Sequence, residues 1–249
     1  MAERFGASHV PEISCNEFGT PLLNDVFGKA QNTATHALVC FANADIILMQ
    51  DFARAIDAVS NLNESFLMVG RRWNVEINAP LDFQRDDWQE QLRTVVNQRG
   101  KCGLPYYIDY FVFRKGLFGN LPPFVIGRAG FDNWLLWRAR SSGAMIVDAS
   151  QMVMAIHQNH DYAHHPEGRD GVYLGLEAKR NRELMGGSHH LFTLEDATHF
   201  LTSDGLKRNL SRRYFRRKWK FIRRALRHRW REWRTSQTTG ENGSPLKKT

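Results

Sequence analysis

The chain has 249 residues, 42% hydrophobic and 12% aromatic, with a formal net charge of +8, a composition that excludes a fibrous, collagenous or wholly disordered protein. A chain of this length holds one large domain, or one domain with an appendage. No run approaches the roughly 18 apolar residues of a membrane span, the opening MAERFGASHV lacks a signal-peptide core, and Cys15, Cys40 and Cys102 have no CxxC spacing; a cytoplasmic chain with free thiols is expected.

The charge is unevenly spread. From Lys207 onward there are 16 basic residues against 2 acidic, whereas residues 1–206 hold 18 basic against 24 acidic. This divides the chain into three segments: a mildly acidic globular body over 1–206, a basic amphipathic helix over 207–234, and a polar, disordered tail over 235–249.

Up to Thr20 no period is visible, as in a loop or extended edge. Thr20-Pro21 reads as an N-cap with proline in the first turn, and Leu22, Leu23, Val26, Phe27 and Ala30 recur at helical spacing, predicting a helix over Pro21 to Thr33. The run Ala37 to Met49, ALVCFANADIILM, is a buried-strand pattern interrupted by Asn43-Ala44-Asp45. Burying an unpaired carboxylate is costly, which puts Asp45 at a strand end, where open α/β sheets bind ligands. The alternative is a turn in which Asp45 caps the next element of the chain.

Asp51 to Leu62 carries Phe52, Ala55, Ile56 and Val59 on one face behind an acidic cap. Phe66 to Gly70 (FLMVG) is a second buried strand, ending in Arg71-Arg72-Trp73. Strand, helix and strand predict two adjacent parallel strands, with Asn43, Asp45, Arg71 and Arg72 at one edge. Acids beside arginines suit a metal-bound or phosphate-bearing ligand, because a guanidinium offers forked donors; the alternative is that both arginines face solvent or pair with local acids.

Residues 74–83 read as loop and Arg85 to Asn97 as an exposed helix packing through Trp88, Leu92 and Val96. Tyr107 to Phe113 (YIDYFVF) reads as a strand whose one charge, Asp109, is strand-end decoration or a binding group. Beyond the Leu121-Pro122-Pro123-Phe124 loop, a helix from Asn133 to Arg140 leaves Asp132 at its N-terminus, where an acid commonly caps. Ala144 to Ala149 and Val153 to His157 are further strands, and Leu176 to Met185 and Leu194 to Leu201 read as two closing helices. His157, His160, Asp161, Tyr162, His164 and His165 cluster after a buried strand, which suits a metal or catalytic site, although the spacing is neither HExxH nor a zinc ribbon.

The strings NEFGTPLLND, NADIIL, FLMVGRRW, IDYFVF, PPFVIGR with FDNWL, and AIHQNHDY together resemble the nucleotide-diphospho-sugar transferase superfamily, in particular bacterial proteins similar to family 2 glycosyltransferases. The resemblance covers roughly His9 to Leu206 and implies a GT-A-like α/β fold, a Rossmann-like mixed sheet flanked by helices. It implies that Asn43-Ala44-Asp45 stands at the DxD motif, whose last carboxylate holds a divalent cation, Mn²⁺ or Mg²⁺, on the donor diphosphate. Asn43 in place of the first acid leaves one negative charge fewer, and His157 is implied as the second metal ligand. Arg71, Arg72 and Asp109 join Asn43 and Asp45 as donor-binding residues, and Asp132 matches the base that deprotonates the acceptor hydroxyl in inverting members. Strands that bind base and ribose precede the DxD strand in that superfamily; only 36 residues precede Ala37 here, so an N-terminally shortened domain that binds nucleotide sugar weakly or not at all is expected.

In the basic segment Phe215, Trp219, Ile222, Leu226, Trp230 and Trp233 recur every three or four residues, predicting an amphipathic helix from Asn209 to Arg234. Three readings stand: an anionic membrane surface, nucleic acid, or docking of the stripe onto the body. For the whole chain the expected function is transfer of a sugar from a nucleotide-diphosphate donor to a glycan or lipid-linked acceptor, with peripheral attachment to the inner face of the membrane. The alternatives are a non-catalytic homologue that associates with membrane or nucleic acid through its tail, and a metal-dependent hydrolase built on the histidine cluster.

Overall fold

The computed structural model describes residues 2–162 and 166–240, and the chain divides into two units, residues 1–209 and 210–249. The first unit opens with a 3₁₀ turn (Ala2–Phe5), then α1 (Leu23–Thr33), β1 (Leu38–Ala42), β2 (Ile46–Ile47), α2 (Gln50–Ser60), β3 (Phe66–Val69), β4 (Arg72–Val75), α3 (Trp88–Arg99), β5 (Lys101–Cys102) and β6 (Tyr110–Arg114). It continues with α4 (Phe131–Ser141), β7 (Met145–Asp148), β8 (Ala155–Gln158), α5 (Gly168–Leu174), α6 (Leu176–Leu184), two 3₁₀ turns (Ser188–His190 and Leu194–Asp196), β9 (His199–Thr202) and β10 (Gly205–Arg208). The second unit holds one helix, α7 (Arg212–Gly240).

The strands form two mixed sheets flanked by helices, an α/β architecture consistent with a Rossmann-like fold. The larger runs β1-β6-β3-β7-β9-β10 and the smaller β2-β8-β4-β5. β6 is antiparallel to both β1 and β3, and β3, β7 and β9 run parallel. The continuous apolar runs are buried on both faces of the larger sheet, as strands covered on two sides require. Leu67, Val69, Phe111 and Phe113 face one core with Leu23 and Phe27 of α1 and Trp134 and Leu135 of α4. Their neighbours Phe66, Met68, Tyr110 and Val112 face another with Ala55 and Val59 of α2. The smaller sheet closes on α3 through Val75, Leu92, Val96 and Ile156.

Several expectations change. β1 and β3 run in the same direction but are not neighbours, because β6 lies between them; the fully buried YFVF run takes the inner position and the half-exposed β1 the edge. The expected single buried strand over Ala37 to Met49 is two strands in two sheets. α1 starts after Pro21 and Leu22, which are used in bridges to Cys15 and Val125, so the cap position falls on Leu22 and Thr20 does not cap the helix. Asp51 does not cap α2: it is buried, paired with Arg93 of α3 and accepting the Met154 amide. Leu194 to Leu201 is a 3₁₀ turn followed by β9 rather than a helix, and β4, Arg72–Val75, takes the first two residues of the loop expected over 74–83. Lys207 and Arg208 belong to β10, and α7 continues through Thr235 to Gly240, where disorder was expected. The three cysteines are free thiols. Among the described residues no helix is long and apolar enough to cross a membrane.

Candidate functional site

Four chain crossings between the two sheets place the polar residues that the apolar runs cannot bury. The chain leaves β1 for β2 through Asn43-Ala44-Asp45, β3 for β4 through Gly70-Arg71, and β7 for β8 through residues 149–154, and it returns from β5 to β6 through a segment that ends at Asp109. β1, β3 and β7 run in one direction and β6 in the other, so these ends gather at one edge of the larger sheet.

In the smaller sheet Ile46 lies opposite His157, and the Gln158 amide donates to the Asp45 carbonyl over 3.2 Å. This register brings Asp45 Oδ2 to 3.2 Å from His157 Nε2 and 3.4 Å from His160 Nε2. The three side chains offer ligand atoms within 4.8 Å of one another. His157 is buried, and Asp45 and His160 are about one-third exposed. Burial pushes the Asp45 carboxyl up, but the His157 hydrogen bond and the charges of His157 and His160 outweigh it and hold the group below the ordinary carboxylate range. Asp45 Oδ1 and His157 Nδ1 are buried with no hydrogen-bond partner among the described residues. One carboxylate and two imidazoles with polar capacity to spare form a set that could hold a divalent metal ion.

Asp109 links this triad to the arginine side of the edge. Its Oδ1 accepts from Asn43 Nδ2 at 2.8 Å and from Arg72 Nη1 at 3.0 Å, and the Arg72 guanidinium lies 4.8 Å from the centre of the Tyr107 ring. Burial raises the Asp109 carboxyl and the Asp45 charge adds to it, against the opposing charges of Arg72 and His157. Asp132, in the first turn of α4, makes no capping bond there: the cap position is Gly130, at φ 112°. Burial raises its carboxyl well above the ordinary range, Asp109 raises it further, and Arg72 opposes. Asp132 Oδ1, Asp109 Oδ2 and Arg72 Nε are also buried without partners among the described residues.

Beside the triad opens a cavity of about 340 Å³ whose lining includes Arg72, Tyr107, His157, His160, Arg169 and Tyr173. Tyr162 adopts a left-handed backbone at φ 61°, rare for an aromatic residue. Its hydroxyl is 3.4 Å from that of Tyr173, and the Arg169 guanidinium lies 5.6 Å from the Tyr173 ring centre.

Of the residues singled out in sequence, Asn43, Asp45, Arg72, Asp109 and His157 come together, and Asp132 is close enough to feel Asp109 and Arg72. Arg71 does not join them: its amide donates to Ser150 Oγ at 2.8 Å and its charge acts on Asp148. His164 and His165 lie outside the described residues. Arg169 and Tyr173 were missed because α5, seven residues long and opening on glycine, has no legible period. Tyr107 was visible only as part of an aromatic strand. The chain matches no family model, and comparison with curated proteins and with solved structures gives no match.

Proposed function

We propose that this chain is a GT-A-like glycosyltransferase that takes a sugar from a nucleotide-diphosphate donor and passes it to a glycan or lipid-linked acceptor. The observation that carries the reading is the convergence of Asp45, His157 and His160, with both histidines lining a cavity that also holds Arg72 and Arg169. Asp45, His157 and His160 would hold the divalent cation. When bound, it supplies neutralisation of the negative charge that develops on a departing diphosphate. Arg72 and Arg169 present forked donors to phosphate oxygens, and Tyr107, Tyr162 and Tyr173 offer ring faces and hydroxyls to the remainder of the donor. Asp132, the carboxyl that follows Gly130 and Phe131 at the start of α4 and carries a buried Oδ1 with no partner among the described residues, would accept the proton from an acceptor hydroxyl.

The Asp45, His157 and His160 set also supports a second reading, metal-assisted hydrolysis of a phosphate-bearing ligand, because three protein ligands leave room for water. A thermal-shift screen of nucleotide sugars at millimolar concentration, with and without Mn²⁺, tests the transferase reading. The expected result is a rise in midpoint with at least one nucleotide sugar, dependent on Mn²⁺ and lost in Asp45→Asn. A ligand held a hundredfold above its Kd stabilises by about 2.7 kcal/mol, or roughly 5 to 10 °C here. Absence of any Mn²⁺-dependent shift across the screen would overturn it.

A further inference from the structure

Helix α7 carries a surface that the cleft does not use. At about 100° per residue, Phe215, Trp219, Ile222, Leu226 and Trp230 fall within an arc of roughly 80°. All five are exposed, Trp219 by 64% and Leu226 by 59%. Isolated apolar side chains at a surface need no explanation, but a continuous stripe over four turns marks an interaction face. Between Arg212 and Arg234 the sequence holds twelve Arg or Lys against a single acid, Glu232.

The partner has to satisfy both features. A nucleic acid would neutralise the arginines and leave the tryptophan stripe in water. A second copy of the helix would cover the stripe but bring two strongly basic surfaces together. A bilayer containing anionic lipid offers apolar depth and negative phosphates in the same plane. Arginine and lysine flanking the stripe can rest their aliphatic stems on it while their charged heads reach the phosphates.

We propose that α7 lies in the interface of a membrane that contains anionic phospholipid, with Phe215, Trp219, Ile222, Leu226 and Trp230 in the boundary between headgroups and acyl chains. This attachment is independent of what the cleft does, and α7 is too polar to cross the bilayer.

The full-length protein is sedimented with vesicles of phosphatidylcholine alone and of phosphatidylcholine mixed with phosphatidylglycerol. Binding to the anionic vesicles is expected to be about tenfold or more tighter, and to weaken as salt rises. Trp219→Ser with Leu226→Ser keeps every charge and is expected to reduce anionic-vesicle binding about tenfold or more, with the thermal midpoint unchanged. Arg216→Gln with Lys220→Gln keeps the stripe and is expected to weaken binding to anionic vesicles only. Equal binding to both vesicle types, or full retention in the Trp219/Leu226 variant, would overturn the proposal. Tighter binding to a duplex oligonucleotide that the same variant leaves intact would assign the helix to nucleic acid instead. A fall in the variant's thermal midpoint would assign the stripe to packing within the protein.

Discussion

Asn43 shows how one amide can decide the chemistry around it. Its side chain donates to the Oδ1 of Asp109, the same oxygen that Arg72 holds. A carboxylate at position 43 would face Asp109 as a like charge. Asn43→Asp is therefore expected to lower stability at pH 7 by about 2 kcal/mol, measured by urea denaturation, and the loss should shrink as pH falls through the raised carboxyl values and be gone below about pH 4, where both carboxyls are protonated folded and unfolded. A variant as stable as the parent at pH 7 would contradict this account of the pair. Asp132 carries a second prediction. A carboxyl whose folded pKa is raised contributes stability that is present below its unfolded value and lost as pH rises through the folded one. Asp132→Asn removes that loss, so its melting midpoint should exceed the parent's at pH 7 and converge on it in acid. If Asp132 is the base, transfer should fall roughly 10² to 10⁴-fold in the same variant. At this scale Asp45, Asp109 and His157 were legible because charges interrupt apolar runs only where something holds them. The separation of Arg71 from Arg72 was not legible, because it depends on which way a crossing turns.

At the scale of elements, the crossings carry the site and their packing is tight. A Cβ on Gly70, between β3 and β4, would meet the Tyr110 hydroxyl, which is buried and without a hydrogen-bond partner among the described residues. Gly70→Ala is expected to cost about 1 to 3 kcal/mol. Tyr110→Phe alone should be near neutral or stabilising, because it removes an unsatisfied group, and the double variant should recover much of the loss. An additive double-mutant cycle would show that the hydroxyl is not the obstacle. Asp51 joins α2, α3 and the segment before β8 through Arg93 and the Met154 amide. Asp51→Ala should destabilise by about 1 to 3 kcal/mol, discounted because the Arg93 side chain is one-third exposed and regains water. The longer strands and helices were legible from apolar runs and periodicity. The smaller sheet was not: two of its strands are two residues long, too short for any alternation to register, and their pairing is set by what lies across from them.

At the scale of the whole molecule there are two surfaces to explain, a polar edge built at the sheet crossings of the first unit and a basic helix with an apolar stripe in the second. The α/β class was visible in the order of apolar runs and periodic stretches, and the basic segment in charge placement. The meeting of Asp45, His157 and His160 was only partly so, because the Ile46 and His157 register joins residues more than a hundred positions apart and leaves no local mark. Metal binding by this triad is the claim on which the reading of the cleft rests, and manganese titration followed by electron paramagnetic resonance tests it directly. The parent protein should take up one Mn²⁺ per chain. Asp45→Asn should weaken that binding about tenfold or more, and a nucleoside diphosphate should tighten it in the parent. Unchanged Mn²⁺ affinity in Asp45→Asn, or no saturable uptake by the parent, would contradict the account.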